Sequence, residues 1–128
     1  MVGGRDVRVN RAWGLGRDNQ ASFMALLGGA PEVERWAATA LFYSALHFTE
    51  AALRRWNEPP AQAHEVRWRQ IERHFDDAFM QHYLALKATS EDWRYWGRSI
   101  SNADLQRCRS GHYEHVLTEA RRQAQPTI

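Results

Sequence analysis

The chain has 128 residues, and 17 basic against 15 acidic residues leave a formal charge of only +2. A length of this order implies one domain, and with 44% hydrophobic residues it can bury a core without metals or disulfides. So small a charge does not by itself argue for nucleic-acid binding. The single cysteine, Cys108, excludes an intramolecular disulfide and fits a reducing compartment.

The first residues, Met1 to Asp6, lack the apolar stretch of a secretory leader. No apolar run approaches the roughly 18 residues needed to span a bilayer. The expectation is a soluble, cytoplasmic protein with no membrane partner. All but one of the basic residues are Arg, Lys87 being the exception. Genome composition accounts for that bias; a preference for bidentate phosphate contacts is the functional alternative.

In chain order, residues 1–16 are Gly-rich without a clear period and read as a flexible N-terminal arm. The helical domain is expected over residues 17–124. Its first helix runs from about Arg17 to Leu27 and is stopped by Gly28-Gly29. Pro31 suits the first turn of the next helix, with Glu32 and Glu34 favouring its N-terminal end. From Glu34 to Leu53 this helix is apolar on nearly every side, which places it at the centre of a bundle. It ends near Trp56, before Asn57-Glu58-Pro59-Pro60. Within it His47 and Glu50 share one face and read as a hydrogen-bonded pair, with a metal trio including His64 as a weaker alternative.

A third helical segment starts near Ala63 with Trp68, Ile71 and Phe75 at helical spacing. Asp76-Asp77 caps a new turn or kinks the helix. Phe79, Tyr83, Leu86, Ser90 and Trp93 carry the stripe on to Gly97. Arg67, Arg69 and Arg73 read as a solvated face, with an RNA track as the alternative. Ser101 or Asn102 caps the last helix, whose stripe is Leu105, Cys108, His112, Val116 and Ala120. Cys108 on that stripe reads as packing. The last four residues are expected to fray. No segment alternates as a strand does, so the fold class is all-α, a four- to five-helix up-down bundle.

Three pieces of the sequence resemble the HEPN superfamily of small helical domains. They are Trp36 to Ala51 in the central helix, His64 after the Pro-rich loop, and Tyr83, Leu86, Ser90, Arg94 and Tyr95 in the third segment. The resemblance implies a bundle that pairs into a two-fold homodimer. Many members are endoribonucleases that need no metal or other cofactor, often toxins or defence effectors, and their motif is an Arg and a His with four to six residues between them on the last long helix. Arg107 precedes His112 with four residues between, and Arg109 precedes His115 with five between. The same spacing links Arg67 and Arg69 to His74, so only the place on the last helix singles out the first two.

That chemistry has a physical basis: a His near neutral pH can take the proton of an RNA 2′-OH, and an Arg fork can steady the phosphate. The candidate catalytic residues are Arg109, His115, Arg107 and His112, with the Arg109–His115 copy preferred because His112 lies on the apolar stripe. Arg94 and Tyr95 are candidates for RNA or nucleotide binding in the same cleft; no metal ligand is assigned. Gly111 reads as a point of close approach or a local kink. The sequence leaves three readings open: the endoribonuclease, with RNA as substrate and an antitoxin or other neighbouring-gene protein as partner; a non-catalytic module binding a nucleotide or partner protein; and a plain structural dimer subunit.

Overall fold

The computed structural model describes residues 3–30, 36–97 and 100–128, apart from the side chain of Trp93. Among them every regular element is helical and none is a strand. The expected contributions of Pro31, Glu32 and Glu34 to a helix start, and of Trp93 to a stripe, lie outside the described residues. The helices are α1 (Gly4–Leu26), α2 (Ala37–Arg55), α3 (His64–His74), α4 (Asp77–Trp96), and a last rod made of α5 (Asn102–Cys108), a π-helical turn (Arg109–Tyr113) and α6 (Glu114–Ala124).

Helix α2 is the hub, packed against α1, α4 and the last rod. Leu41, Phe42, Ala45, Phe48, Ala51, Ala52 and Leu53 are buried on successive faces, as the all-round apolar pattern requires. Arg54 and Arg55 in its last turn complement the helix dipole. Asn57, in left-handed backbone at φ 63°, then turns the chain out ahead of the two prolines. The Gln70 amide donates to the Pro59 carbonyl at 2.8 Å and ties that loop to α3.

The arm expected over residues 1–16 is, from Gly4 on, the first half of α1. Its buried face is Val9, Ala12, Trp13, Gly16 and Phe23. That face falls at helical spacing but includes a glycine and an alanine, so its apolar signal in sequence is weak. Trp13 packs on Phe48 with ring centroids 4.2 Å apart, and Arg121 of α6 lies over its other side. Gly28 at φ +80° ends the helix region as expected. The C-terminal residues are not frayed: Thr127 N–H donates to Asn10 Oδ1 at 3.0 Å, and Asn10 Nδ2 donates back to Thr127 Oγ1 at 2.7 Å.

Asp76 caps α4 through its carboxylate, which accepts Phe79 N–H at 2.9 Å, so the third segment is two helices with a break at Phe75-Asp76. Phe79, Tyr83, Leu86 and Ser90 face the core as their spacing requires, whereas Trp68 is 46% exposed and leaves the stripe expected of α3. Ser101 caps the last rod by accepting Asp104 N–H.

Three elements meet at one polar junction. Ser44 Oγ donates to the Gly16 carbonyl at 2.7 Å and lies 2.8 Å from Tyr113 Oη. The serine proton is committed to Gly16, so Tyr113 is the donor to Ser44. Burial pushes the Tyr113 phenol up, which keeps that donor protonated. Gly16 is required here, because a Cβ at this position would stand 2.5 Å from the Phe48 ring. Gly14, one residue pair earlier on α1, has nothing within 4 Å of such a Cβ.

The two glycines therefore have opposite expected responses. Gly14→Ala should raise stability by about 0.5–1 kcal/mol through helix propensity. Gly16→Ala should lower it, because displacing Phe48 costs about 1–3 kcal/mol and exceeds the propensity gain. Urea unfolding of both variants measures the difference; equal shifts would contradict the close contact.

Candidate functional site

The last rod carries both Arg–His spacings, and the π turn decides how they are presented. Ser110 Oγ bonds back to the Gln106 carbonyl at 3.0 Å, which competes with regular helical bonding. Gly111 follows within the π turn, with nothing among the described residues of this chain within 4 Å of where a Cβ would be. A π turn closes over one residue more than an α turn and so shifts the register by one. Instead of His112, Tyr113 joins Leu105, Val116, Ala120 and Ala124 in the core. His112 is half-buried at the edge and His115 is exposed, so the expectation that His112 continues the apolar stripe is corrected.

Rotated outward, the two rings meet His82 of α4. The Nδ1 atoms of His82 and His112 are 2.8 Å apart. The His115 ring stacks on His82 with centroids 4.2 Å apart and planes 30° apart. Three imidazoles thus form one surface cluster. A Nδ1–Nδ1 hydrogen bond needs one donor and one acceptor, so at most one of that pair carries an extra proton while the bond exists. If neutral His112 donates, its Nε2 is bare and basic; if His82 donates, neutral His112 carries its proton on Nε2 and presents a hydrogen-bond donor there. Partial burial, then the neighbouring His115 and His112, push the His82 ring down from its ordinary value.

A pocket of about 490 Å³ opens beside this cluster, lined by Thr89, Asp92, Ile100, Asp104, Arg107, Cys108 and His112. Arg107 is 72% exposed and its guanidinium is bonded to Asp104. Arg107 and His112 therefore share a solvent-open pocket. The preferred copy is not assembled in the same way. His115 lines a shallower depression with Ser110, Gly111, Glu114, Thr118 and Glu119, while half-buried Arg109 acts electrostatically on Tyr113. Burial and the Thr89 hydroxyl beside it make Cys108 a packing residue, with its thiol pushed up.

Arg94 and Tyr95 do not join this pocket. Arg94 Nη1 donates to Tyr43 Oη of α2 at 3.3 Å, its guanidinium lies over the Tyr43 and Tyr95 rings, and Tyr95 is 68% exposed. The Arg67/Arg69–His74 spacing is structural: His74 stacks on Trp56 and bonds Glu58 at 2.9 Å. Arg67 also departs from the solvated face expected for it and turns inward toward Glu50. The expected His47–Glu50 pair is present at 3.0 Å. Among the described residues no three or more of His, Cys, Asp or Glu are arranged to hold a metal ion.

His82 is the residue that sequence reasoning missed. It precedes core Tyr83 and belongs to no spacing pattern; only the packing of α4 on the last rod joins residues 82 and 112. The largest depression, about 590 Å³, is remote from these rings and lined by Arg5, Arg55, Trp56, Asn57, Arg122, Gln123 and Gln125. Arg55 and Arg122 are already paired there with Asp6 and Glu119. Compared with known proteins, the chain matches no protein-family model, no curated protein and no solved structure. No helix among the described residues is long and apolar enough to cross a membrane.

The histidine cluster has a pH signature. A His depressed in the folded state is neutral there while its unfolded counterpart takes up a proton, so its stabilising contribution is present above the ordinary 6.5 and is lost as pH falls through the depressed value. Histidine-ring NMR should place the His82 midpoint below 6.5, and His115→Gln should move it upward by removing a like charge. A His82 midpoint that ignores His115→Gln would show that the two rings are not in contact in solution.

Proposed function

We propose that the chain is a HEPN-like, metal-independent endoribonuclease whose reacting groups are His112 and Arg107, with His82 and His115 beside them. The observation that supports this reading is the His82–His112 contact at 2.8 Å on the wall of an open pocket that also holds Arg107. The resemblance in α2, His64 and α4 provides the scaffold side of the argument.

In this mechanism His112, donating Nδ1–H to His82, uses its free Nε2 to take the proton from an RNA 2′-OH. The 2′-oxygen attacks the adjacent phosphorus, and the bond to the 5′-oxygen breaks. Arg107 exchanges Asp104 for the non-bridging oxygens and steadies their charge. His115, or a ring from a second copy in a two-fold homodimer, protonates the departing 5′-oxygen. The products are a 2′,3′-cyclic phosphate and a 5′-hydroxyl end.

A second reading, a non-catalytic module that binds a nucleotide or partner protein, is favoured by the existing Asp104 partner of Arg107 and by the net charge of +2, which provides little general attraction for RNA.

Cleavage of RNA in the presence of EDTA separates the two. His112→Ala should lower the rate by about 100-fold or more, the scale of a lost general base. Arg107→Ala should fall by a comparable factor, and the rate should follow a bell-shaped pH profile. No cleavage by the wild type, or wild-type rates in both His112→Ala and His115→Ala, would reject the nuclease at this site and leave the binding module.

A further inference from the structure

A second polar pocket, sharing no lining residue with the one beside His112, lies between α2 and the start of α3. Its volume is about 280 Å³, at the lower edge of the roughly 300–1,000 Å³ typical of small-ligand sites, so it suits a compact ligand. Tyr43, His47, Glu50, Gln62, His64 and Arg67 supply its polar lining.

The hydrogen-bond inventory of this pocket is unbalanced. Its one carboxylate is fully engaged: Glu50 bonds His47 Nδ1 at 3.0 Å and Arg54 Nη2 at 3.1 Å, and Arg67 Nη2 stands 4.0 Å away. Burial alone would raise the Glu50 carboxyl, but the His47 bond and the charges of Arg67 and Arg54 outweigh it and hold Glu50 low, so it stays ionised and committed. Arg67 Nη1 approaches His64 Nδ1 at 3.4 Å. An arginine only donates, so Nδ1 accepts and neutral His64 carries its proton on Nε2. Arg67 Nε and Tyr83 Oη, which are close neighbours, are both buried without a partner, and so is Nε of Arg94, the residue that bonds Tyr43. Buried donors without acceptors are uncommon in folded proteins.

The charges agree with that inventory. Lys87, Arg67 and Arg94 all act on His64 and, after burial itself, push the ring down, with Glu91 as the one opposing carboxylate. Glu91 is bonded to Lys87. Donors and positive charge are in surplus, and the available carboxylates are occupied.

We infer that this pocket binds a compact oxyanion of the phosphate kind, held by Arg67 and the Nε2–H of His64, with His47 Nε2 accepting from a protonated oxygen of the ligand. Glu50 fixes the His47 ring by holding its Nδ1 proton, which leaves Nε2 for the ligand. The inference is independent of RNA cleavage at the His112 pocket.

The test is histidine-ring NMR of the full chain titrated with inorganic phosphate, with phenyl phosphate as a monoester arm and chloride at matched ionic strength as control. Phosphate should shift His47 and His64 saturably, and chloride should not. Tighter binding of phenyl phosphate would identify a phosphate ester as the ligand class; tighter inorganic phosphate would identify the free anion. Arg67→Gln should weaken binding about tenfold or more, a loss equivalent to about 1.4 kcal/mol. His64→Gln, at an exposed first residue of α3, should weaken it several-fold with an unchanged far-UV CD spectrum. If Arg67→Gln disturbs the Glu50 cluster and the fold, His64→Gln decides alone. Equal shifts with chloride, no saturable shift, or wild-type affinity in His64→Gln would overturn the assignment.

Discussion

Three groups from three helices meet at one point: the Gly16 carbonyl, the Ser44 hydroxyl and the Tyr113 phenol. The junction works only if each partner has its observed form. Gly16 must lack a Cβ so that Phe48 can pack over α1, and its carbonyl must be free to accept from Ser44. Tyr113 must be turned inward to donate to the same serine. The π turn between α5 and α6 turns it inward. The three polar groups of this junction are thus paired, which their burial demands.

The same turn sets the chemistry of the surface. Inserting one residue into the helical register brings Tyr113 to the core and carries His112 to the edge, where it reaches His82. A regular α-helix through Arg109–Tyr113 would exchange these roles: His112 would take the core position and the imidazole cluster would be lost. The core junction and the candidate site are two consequences of one backbone irregularity. Its position at the motif agrees with the frequent occurrence of π turns at functional sites.

Two polar sites of different character result. The imidazoles of the last rod are exposed, close together and shared between tautomers, which suits proton transfer. The α2–α3 pocket is organised around the ion pairs of Glu50. Its carboxylate is held by arginine and histidine, and its surplus is in donors, which suits holding an anion. Arg94 belongs with the second group because its guanidinium bonds Tyr43, which lines the α2–α3 pocket.

Much of the architecture was legible in the sequence. The all-round apolar pattern from Glu34 to Leu53 identified the hub, Gly28 and the two prolines marked its flanking breaks, and the caps at Asp76 and Ser101 were each one of two readings the sequence offered. The His47–Glu50 pair followed from spacing of three on one helix. These features depend on local periodicity and short-range hydrogen bonds, which a sequence carries directly. The first half of helix α1 escaped because its buried face includes Ala12 and Gly16, residues with little apolar signal. The π turn escaped because the stripe of the last helix was extended at the regular spacing, and a one-residue shift reverses which side chain faces inward. His82 and Arg67 escaped because their partners lie 30 and 17 residues away on other helices. The sequence by itself determined the helical character of the chain from Arg17 onward and which helix is central. Only the tertiary structure decided which histidines and arginines share a site, because that depends on the rotation of packed helices and not on their separation along the chain.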